Sequence, residues 1–191
     1  IRGFFGRFRD FQFNPQAHHR NEFERLCVLR GWSREYGAGL GAYRRLQAAE
    51  IAEFEVQFGT DPNEPEAWRR LCETAGITPI PRTLDERRQK ILGSHINLVD
   101  MLDARLRNGR ARIYDTEKEL ADYTNRTGKY IRKSLAYNSG LLMYLLREIL
   151  EDSHGDEEPD EHKYYGARPG GVGSKRGEGT VRVHPQKRRN L

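Results

Sequence analysis

The chain has 191 residues, of which 36% are hydrophobic and 32% are charged, and its formal net charge is +5. This length suits one domain with appendages. The aromatic side chains are numerous enough for a core, with 8 Phe, 9 Tyr and 2 Trp. A membrane-spanning helix is excluded, since no run approaches about 20 uncharged apolar residues. The 2 cysteines are too few for a disulfide scaffold, which favours a reducing compartment.

Residues 1–20 form an aromatic and basic N-terminal arm. Its phenylalanines alternate with arginines as far as the turn signal Asn14-Pro15. Two interpretations stay open: the rings fold back over the rest of the domain, or they insert into a groove on a partner protein. The candidate docking residues are Phe4, Phe5, Phe8 and Phe11.

Apolar residues recur at helical spacing over residues 21–151, the predicted helical domain. The second helix is preceded by a glycine-rich joint. Capping patterns at Thr83 and Thr116 mark two helix starts. In chain order, the predicted helices run from Asn21 to Gly31, Tyr43 to Gly59, Trp68 to Gly76, Thr83 to Asn108, Thr116 to Gly128 and Leu135 to Leu150, with at most one short strand at Ile113-Tyr114. The sequence therefore predicts an all-α, compact bundle of about five to six helices.

One pattern occurs twice, 45 positions apart. An aromatic residue is followed by x-Arg-Leu-Cys, three further residues, a glycine and an apolar residue, beginning at Phe23 and again at Trp68. Two interpretations of this repeat stay open. Either the domain is built from two related helix pairs, or the pattern reflects chance and the common chemistry of helix ends.

Several short motifs together suggest a relationship. They include Phe4-Phe5, Phe58-Gly59-Thr60-Asp61, His95-x-Asn97-Leu98-Val99-Asp100, Thr127-Gly128-Lys129 and Gly140-Leu141-Leu142. Their succession resembles a set of small, uncharacterised fungal helical proteins over about residues 4–150. The resemblance implies a fungal source and a helical fold, and it supplies no activity, cofactor or site residue.

The sequence predicts no cofactor and no metal. Gly128-Lys129 lacks the earlier glycine and the following Ser or Thr that a phosphate-binding loop needs. The glycine-rich joint Gly37-x-Gly39-x-Gly41 lacks the spacing of a dinucleotide-binding turn, which favours a flexible connection. His18 and His19 are adjacent, but neither a His-Glu-x-x-His nor a Cys-x-x-Cys pattern is present.

Three other residues have a structural and a chemical interpretation. His95 lies in register with an apolar stripe and is either a buried, hydrogen-bonded histidine or a catalytic base or ligand. Asp100 and Asp103, three residues apart, either lie on a solvated face or form a salt bridge to Arg105 or Arg107, or they bind a cation together. The structural interpretation is favoured in each case.

Charges separate into two blocks beyond the helical domain. The predicted acidic linker, 152–161, has a net charge of −6, and the basic tail, 162–191, has a net charge of +7. This glycine-rich, charged composition predicts disorder. The candidate residues for contact with nucleic acid or an import carrier are Lys175, Arg176, Arg182, Lys187, Arg188 and Arg189.

These features predict a non-enzymatic helical adaptor within a protein or nucleoprotein assembly. The bundle would contact protein, and the basic tail would contact RNA or DNA or direct the chain to the nucleus. The alternatives are a cytoplasmic, protein-only binding module with a solvated tail and an enzyme with a site near His95. No small-molecule substrate and no membrane partner are predicted.

Overall fold

The computed structural model describes residues 1–151, and for residues 147–151 it describes the backbone alone. This part is mostly helical, which confirms the predicted fold class. The helices are α1 (Arg2–Phe5), α2 (His19–Arg30), α3 (Gly37–Phe58), α4 (Pro65–Thr74), α5 (Leu84–Leu92), α6 (Leu98–Leu106), α7 (Glu117–Thr127) and α8 (Gly140–Glu151). Two short strands, β1 (His95–Ile96) and β2 (Ile113–Tyr114), pair antiparallel, and Lys133–Leu135 forms a 3-10 turn.

Helix α3 is the centre of the bundle. It contacts α1, α4, α6, α8 and the 3-10 turn. Its inner face repeats at helical spacing and buries Tyr43, Leu46, Phe54 and Phe58. Within residues 1–151, no helix combines the length and the apolar character that crossing a membrane requires.

The glycine-rich segment before Tyr43 is not a joint, because α3 already begins at Gly37. Gly39 is needed for packing. A Cβ atom at this position would lie 1.9 Å from the backbone oxygen of Ser33, so no other residue fits without movement. Gly41 has no such neighbour. The prediction of a flexible connection is therefore wrong.

The two copies of the repeated pattern end their helices in the same way. Gly31 and Gly76 both take positive φ, at 63° and 71°. The residue after each glycine donates its backbone N–H to the carbonyl of the cysteine five residues earlier, Cys27 or Cys72, at 2.9 and 3.0 Å. These are the hydrogen bonds of a glycine-terminated helix, so helix-ending chemistry accounts for this part of the pattern.

The helix predicted from Thr83 to Asn108 is two helices. Helix α5 ends before Gly93, strand β1 follows, and α6 begins after Asn97. The side-chain oxygen of Asn97 accepts hydrogen bonds from the backbone N–H groups of Val99 and Asp100 at 3.0 and 3.2 Å, which caps α6. The apolar stripe continues in register across the break and hides it at the level of sequence.

The N-terminal arm is part of the core. Phe4, Phe5 and Phe11 are 4%, 1% and 8% exposed. The ring centroids of Phe4 and Phe23 of α2 lie 6.0 Å apart. The arm therefore folds back over the bundle, and the docking hypothesis is corrected for these three side chains, which are not free to enter a partner's groove. Phe8 is half-buried, with its ring edge-on to Trp32 at 5.8 Å.

Candidate functional site

Four charged side chains meet in the interior and form what we call the charge cluster: His19, Arg20, Glu50 and Asp103. Each is at most 5% exposed. They come from α2, α3 and α6, whose separation in the chain made their meeting invisible to sequence reasoning. Two bases and two acids at this depth need close pairing, because a buried charge without a partner is strongly destabilising.

Arg20 and Glu50 form a two-point ion pair. Nε and Nη2 of Arg20 donate to the two carboxylate oxygens of Glu50 at 2.5 and 2.6 Å. The remaining donors of Arg20 reach Tyr43 Oη and the carbonyl oxygens of Gly128 and Tyr130. The pair thus joins α2 and α3 to the segment that follows α7.

His19 bridges the two carboxylates. Its Nδ1 lies 2.7 Å from Asp103 and its Nε2 lies 2.7 Å from Glu50. Burial alone would lower the pKa of His19, but the hydrogen bonds to Asp103 and then Glu50 raise it from 6.5 to about 9. Because both partners accept, both ring nitrogens donate, and the ring is an imidazolium at neutral pH.

The carboxylates of the cluster are ionised. Burial raises the pKa of Asp103, but the hydrogen bond with His19 outweighs it and lowers this pKa from 3.8 to about 2. Burial likewise opposes ionisation of Glu50, while the charge of Arg20 holds its pKa below the usual value. With both acids charged and both bases protonated, the cluster is neutral. A protonated His19 has no lone pair to accept a proton, so this side chain cannot act as a general base at neutral pH.

One group of side chains could present ligand atoms to a metal ion. His18, Asp100 and Asp103 place such atoms within 4.8 Å of one another. However, Lys129 Nζ donates to Asp100 at 2.7 Å, and both histidines hold Asp103. A cation would have to displace the ammonium group of Lys129, so we assign these residues to ion pairs.

The predicted partners of the two aspartates are therefore wrong. Asp100 pairs with Lys129, and Asp103 with His18 and His19, instead of with Arg105 or Arg107. Sequence spacing suggested neighbours on the same helix, whereas the true partners lie on other segments. His95 is half-buried on β1, opposite Tyr114, and lies outside any helix. Within residues 1–146, whose side chains the structure describes, no hydrogen bond connects its ring to an acidic side chain.

A basic surface segment begins where the charge cluster reaches α6. We call residues 105–112 the arginine segment, since it contains Arg105, Arg107, Arg110 and Arg112. Nε of Arg107 donates to the backbone oxygen of Asp103 at 3.3 Å, and its Nη2 lies 3.3 Å from Nε2 of His18. The side chain of His18 is 36% exposed, so this contact lies at the surface.

The backbone of the arginine segment is fixed. Asn108 has a φ of 53°, and Gly109 donates its N–H to the carbonyl of Ala104 at 2.8 Å, which closes the end of α6. Ala111 donates to the carbonyl of Thr74 at 2.8 Å, and β2 then pairs with β1. Arg110 and Arg112 therefore project from a connection that is tied at both ends.

Two of these arginines are also positioned by their side-chain contacts. The side chain of Arg110 packs over Gly76. A Cβ atom added to Gly76 would lie 2.9 Å from Cδ of Arg110. The guanidinium carbon of Arg112 lies 4.6 Å from the ring centroid of Tyr114. Both are exposed. Among the side chains that the structure describes, those of residues 1–146, neither of them, nor Arg105, forms an ion pair with a carboxylate.

The basic tail residues predicted to contact nucleic acid or an import carrier lie outside the described residues, as does the acidic linker. The arginine segment was not predicted from the sequence, although four arginines within eight residues indicate a basic surface. Comparison of the chain with models of known families, with curated proteins and with solved structures finds no match.

Proposed function

We propose that this chain is a non-enzymatic helical adaptor that contacts nucleic acid through the arginine segment, with the basic tail adding further phosphate contacts. The proposal rests on the exposure, the fixed position and the lack of an acidic partner of Arg110 and Arg112. Both are exposed and held in place by the fold, and neither has a carboxylate partner among the described side chains, those of residues 1–146.

Comparison with another arginine of the helical domain shows why an exposed arginine without an acidic partner is informative. Arg69 pairs with Glu66 and Glu73, so its guanidinium group is already neutralised. An arginine that is positioned but not neutralised keeps its donors available for an external anion. Positioning also lowers the entropy lost on binding, and the guanidinium group fits the oxygens of a phosphate.

Sequence supports a second set of contacts. The tail residues 162–191 have a net charge of +7 and two clusters of basic residues. Each phosphate that such residues neutralise releases a counterion, which strengthens binding at low salt. The nuclear location indicated by the spacing of these clusters stays a prediction.

The test measures binding of a labelled DNA duplex and a single-stranded RNA by fluorescence anisotropy, between about 50 and about 200 mM salt. Four full-length proteins are compared: wild type, Arg110→Gln with Arg112→Gln, a variant with the six candidate tail residues changed to Gln, and the control Arg44→Gln with Arg45→Gln. The control arginines are exposed on α3 and also lack an ion pair within the described chain.

For duplex DNA, the slope of log affinity against log salt should decrease by about 2 in the double variant of the arginine segment, because two phosphate contacts are lost. The control should keep the wild-type slope. Equal losses in both double variants would show that net charge alone is responsible. Salt-independent or absent binding by the wild type would refute nucleic-acid contact and leave the protein-only module.

A further inference from the structure

The N-terminal arm, once folded back, provides the residues that line an open cleft of about 410 Å³. Four phenylalanine rings line the cleft, and two exposed arginines lie at its edge. These residues are Phe5, Phe8, Phe11, Phe13, Arg2 and Arg9. An apolar concave surface with a few polar groups is the usual form of a site that takes one side chain of a ligand. The arm therefore provides a groove instead of entering one.

The aromatic walls are held by ring contacts. Phe5 and Phe13 stack with centroids 4.3 Å apart and an interplanar angle of 9°, and Phe11 stacks on Phe5 at 5.7 Å. Phe8 packs edge-on against Phe4 at 5.5 Å and against Trp32. Walls fixed in this way reduce the cost of ordering the site when a ligand binds.

The ring contacts favour a peptide side chain over a nucleobase. A base needs a free, flat ring face for stacking. Phe5 already has two rings stacked on it, and the guanidinium groups of Arg25 and Arg30 lie 5.0 and 5.8 Å from the centroids of Phe11 and Phe8. An aliphatic or aromatic side chain needs only van der Waals contact with what remains exposed.

The edge of the cleft is positively charged. Arg2 and Arg9 are exposed, and neither forms an ion pair with an acidic group in the part of the chain that the structure describes. The neighbouring acid, Asp10, is already paired with Arg30. The cleft thus combines a lining of aromatic rings with two exposed arginines that form no ion pair in the described part of the chain.

We propose that this cleft binds a short acidic segment of a partner protein, which inserts one apolar side chain between Phe8 and Phe13 while its carboxylates pair with Arg2 and Arg9. This assigns the protein-contacting face of the adaptor. It does not depend on nucleic-acid contact, because the cleft and the arginine segment share no residue.

The test uses the full-length protein and three synthetic fluorescein-labelled peptides. The first has a central phenylalanine with three glutamates on each side, the second replaces the glutamates with lysines, and the third replaces the phenylalanine with glycine. Only the first should bind, and changing Arg9→Glu should weaken it about fivefold or more, because an attractive charge contact becomes repulsive. Arg9→Lys and the control Arg45→Glu, on exposed positions, should retain wild-type affinity.

Backbone amide shifts in NMR spectra locate the binding and keep the test independent of folding defects. Addition of the acidic peptide should shift the resonances of Gly6, Phe8 and Arg9. Equal binding of all three peptides, or shifts confined to the arginine segment, would overturn the proposal. It would also be overturned if single-stranded RNA shifted the cleft resonances while the peptide did not, or if they moved with protein concentration alone, which would indicate a second copy as the occupant.

Discussion

Alkaline pH should weaken the folded state through His19. Its pKa is about 9 in the folded protein, against 6.5 when the side chain is free. Below pH 6.5 the ring is protonated in both states, so the full stabilisation is present. As the pH rises toward 9, the unfolded chain loses this proton while the folded protein keeps it, so unfolding becomes more favourable. The difference of two and a half pKa units corresponds to about 3 kcal/mol.

The assay is urea unfolding of the full-length protein, followed by circular dichroism and tryptophan fluorescence, at pH 6.5, 7.5 and 9. We expect the free energy of unfolding to fall steadily over this interval. The control His95→Gln should show the same fall, because His95 lies outside the charge cluster. An NMR titration of the His19 ring should give a midpoint close to 9. A midpoint at or below 6.5, or a stability that stays constant over the interval, would refute the assignment of an imidazolium between two carboxylates.

Two further predictions concern local structure and use the same unfolding assay. Gly39→Ala should destabilise the protein by about 1–3 kcal/mol, since its Cβ would overlap the Ser33 carbonyl. Gly41→Ala, two residues along the same helix, should stabilise it by about 0.5–1 kcal/mol, because alanine has the higher helix propensity; a loss of stability at both positions would contradict this account. Thr83→Ala should cost about 1 kcal/mol, since the hydroxyl accepts a hydrogen bond from the N–H of Glu86 at 3.3 Å. Thr83→Ser retains the oxygen and should be close to wild type, and equal losses in the two variants would argue against the cap.

The helices were largely predictable, because their signals are local. The apolar stripe of α3 repeats every three or four residues, and the capping box at Thr83 is present as expected, with both of its hydrogen bonds. The division between α5 and α6 was not predictable from the stripe, since Ile91 and Leu98 remain in phase across Gly93. The strand at Ile113-Tyr114 was indicated, but its partner is β1, in a segment that the sequence assigned to a helix.

The charge cluster was beyond sequence reasoning for a physical reason. His19 meets Glu50 and Asp103, which lie 31 and 84 residues away, and no local pattern encodes such a pairing. One signal was nevertheless available. Glu50 is seven residues from Tyr43, on the buried face of α3, and a charged residue within an apolar stripe indicates a buried partner. Arg20 next to His19 then offered two candidates for that partner.

The pairing within the charge cluster constrains how this protein can diverge. His19, Arg20, Glu50 and Asp103 hold two positive and two negative charges in the interior. Replacing one member with a neutral residue leaves a buried net charge, whereas replacing an acid and a base together does not. Descendants of this sequence should therefore lose these residues in complementary pairs, so substitutions at the four positions should be coupled even though the positions are scattered over three helices.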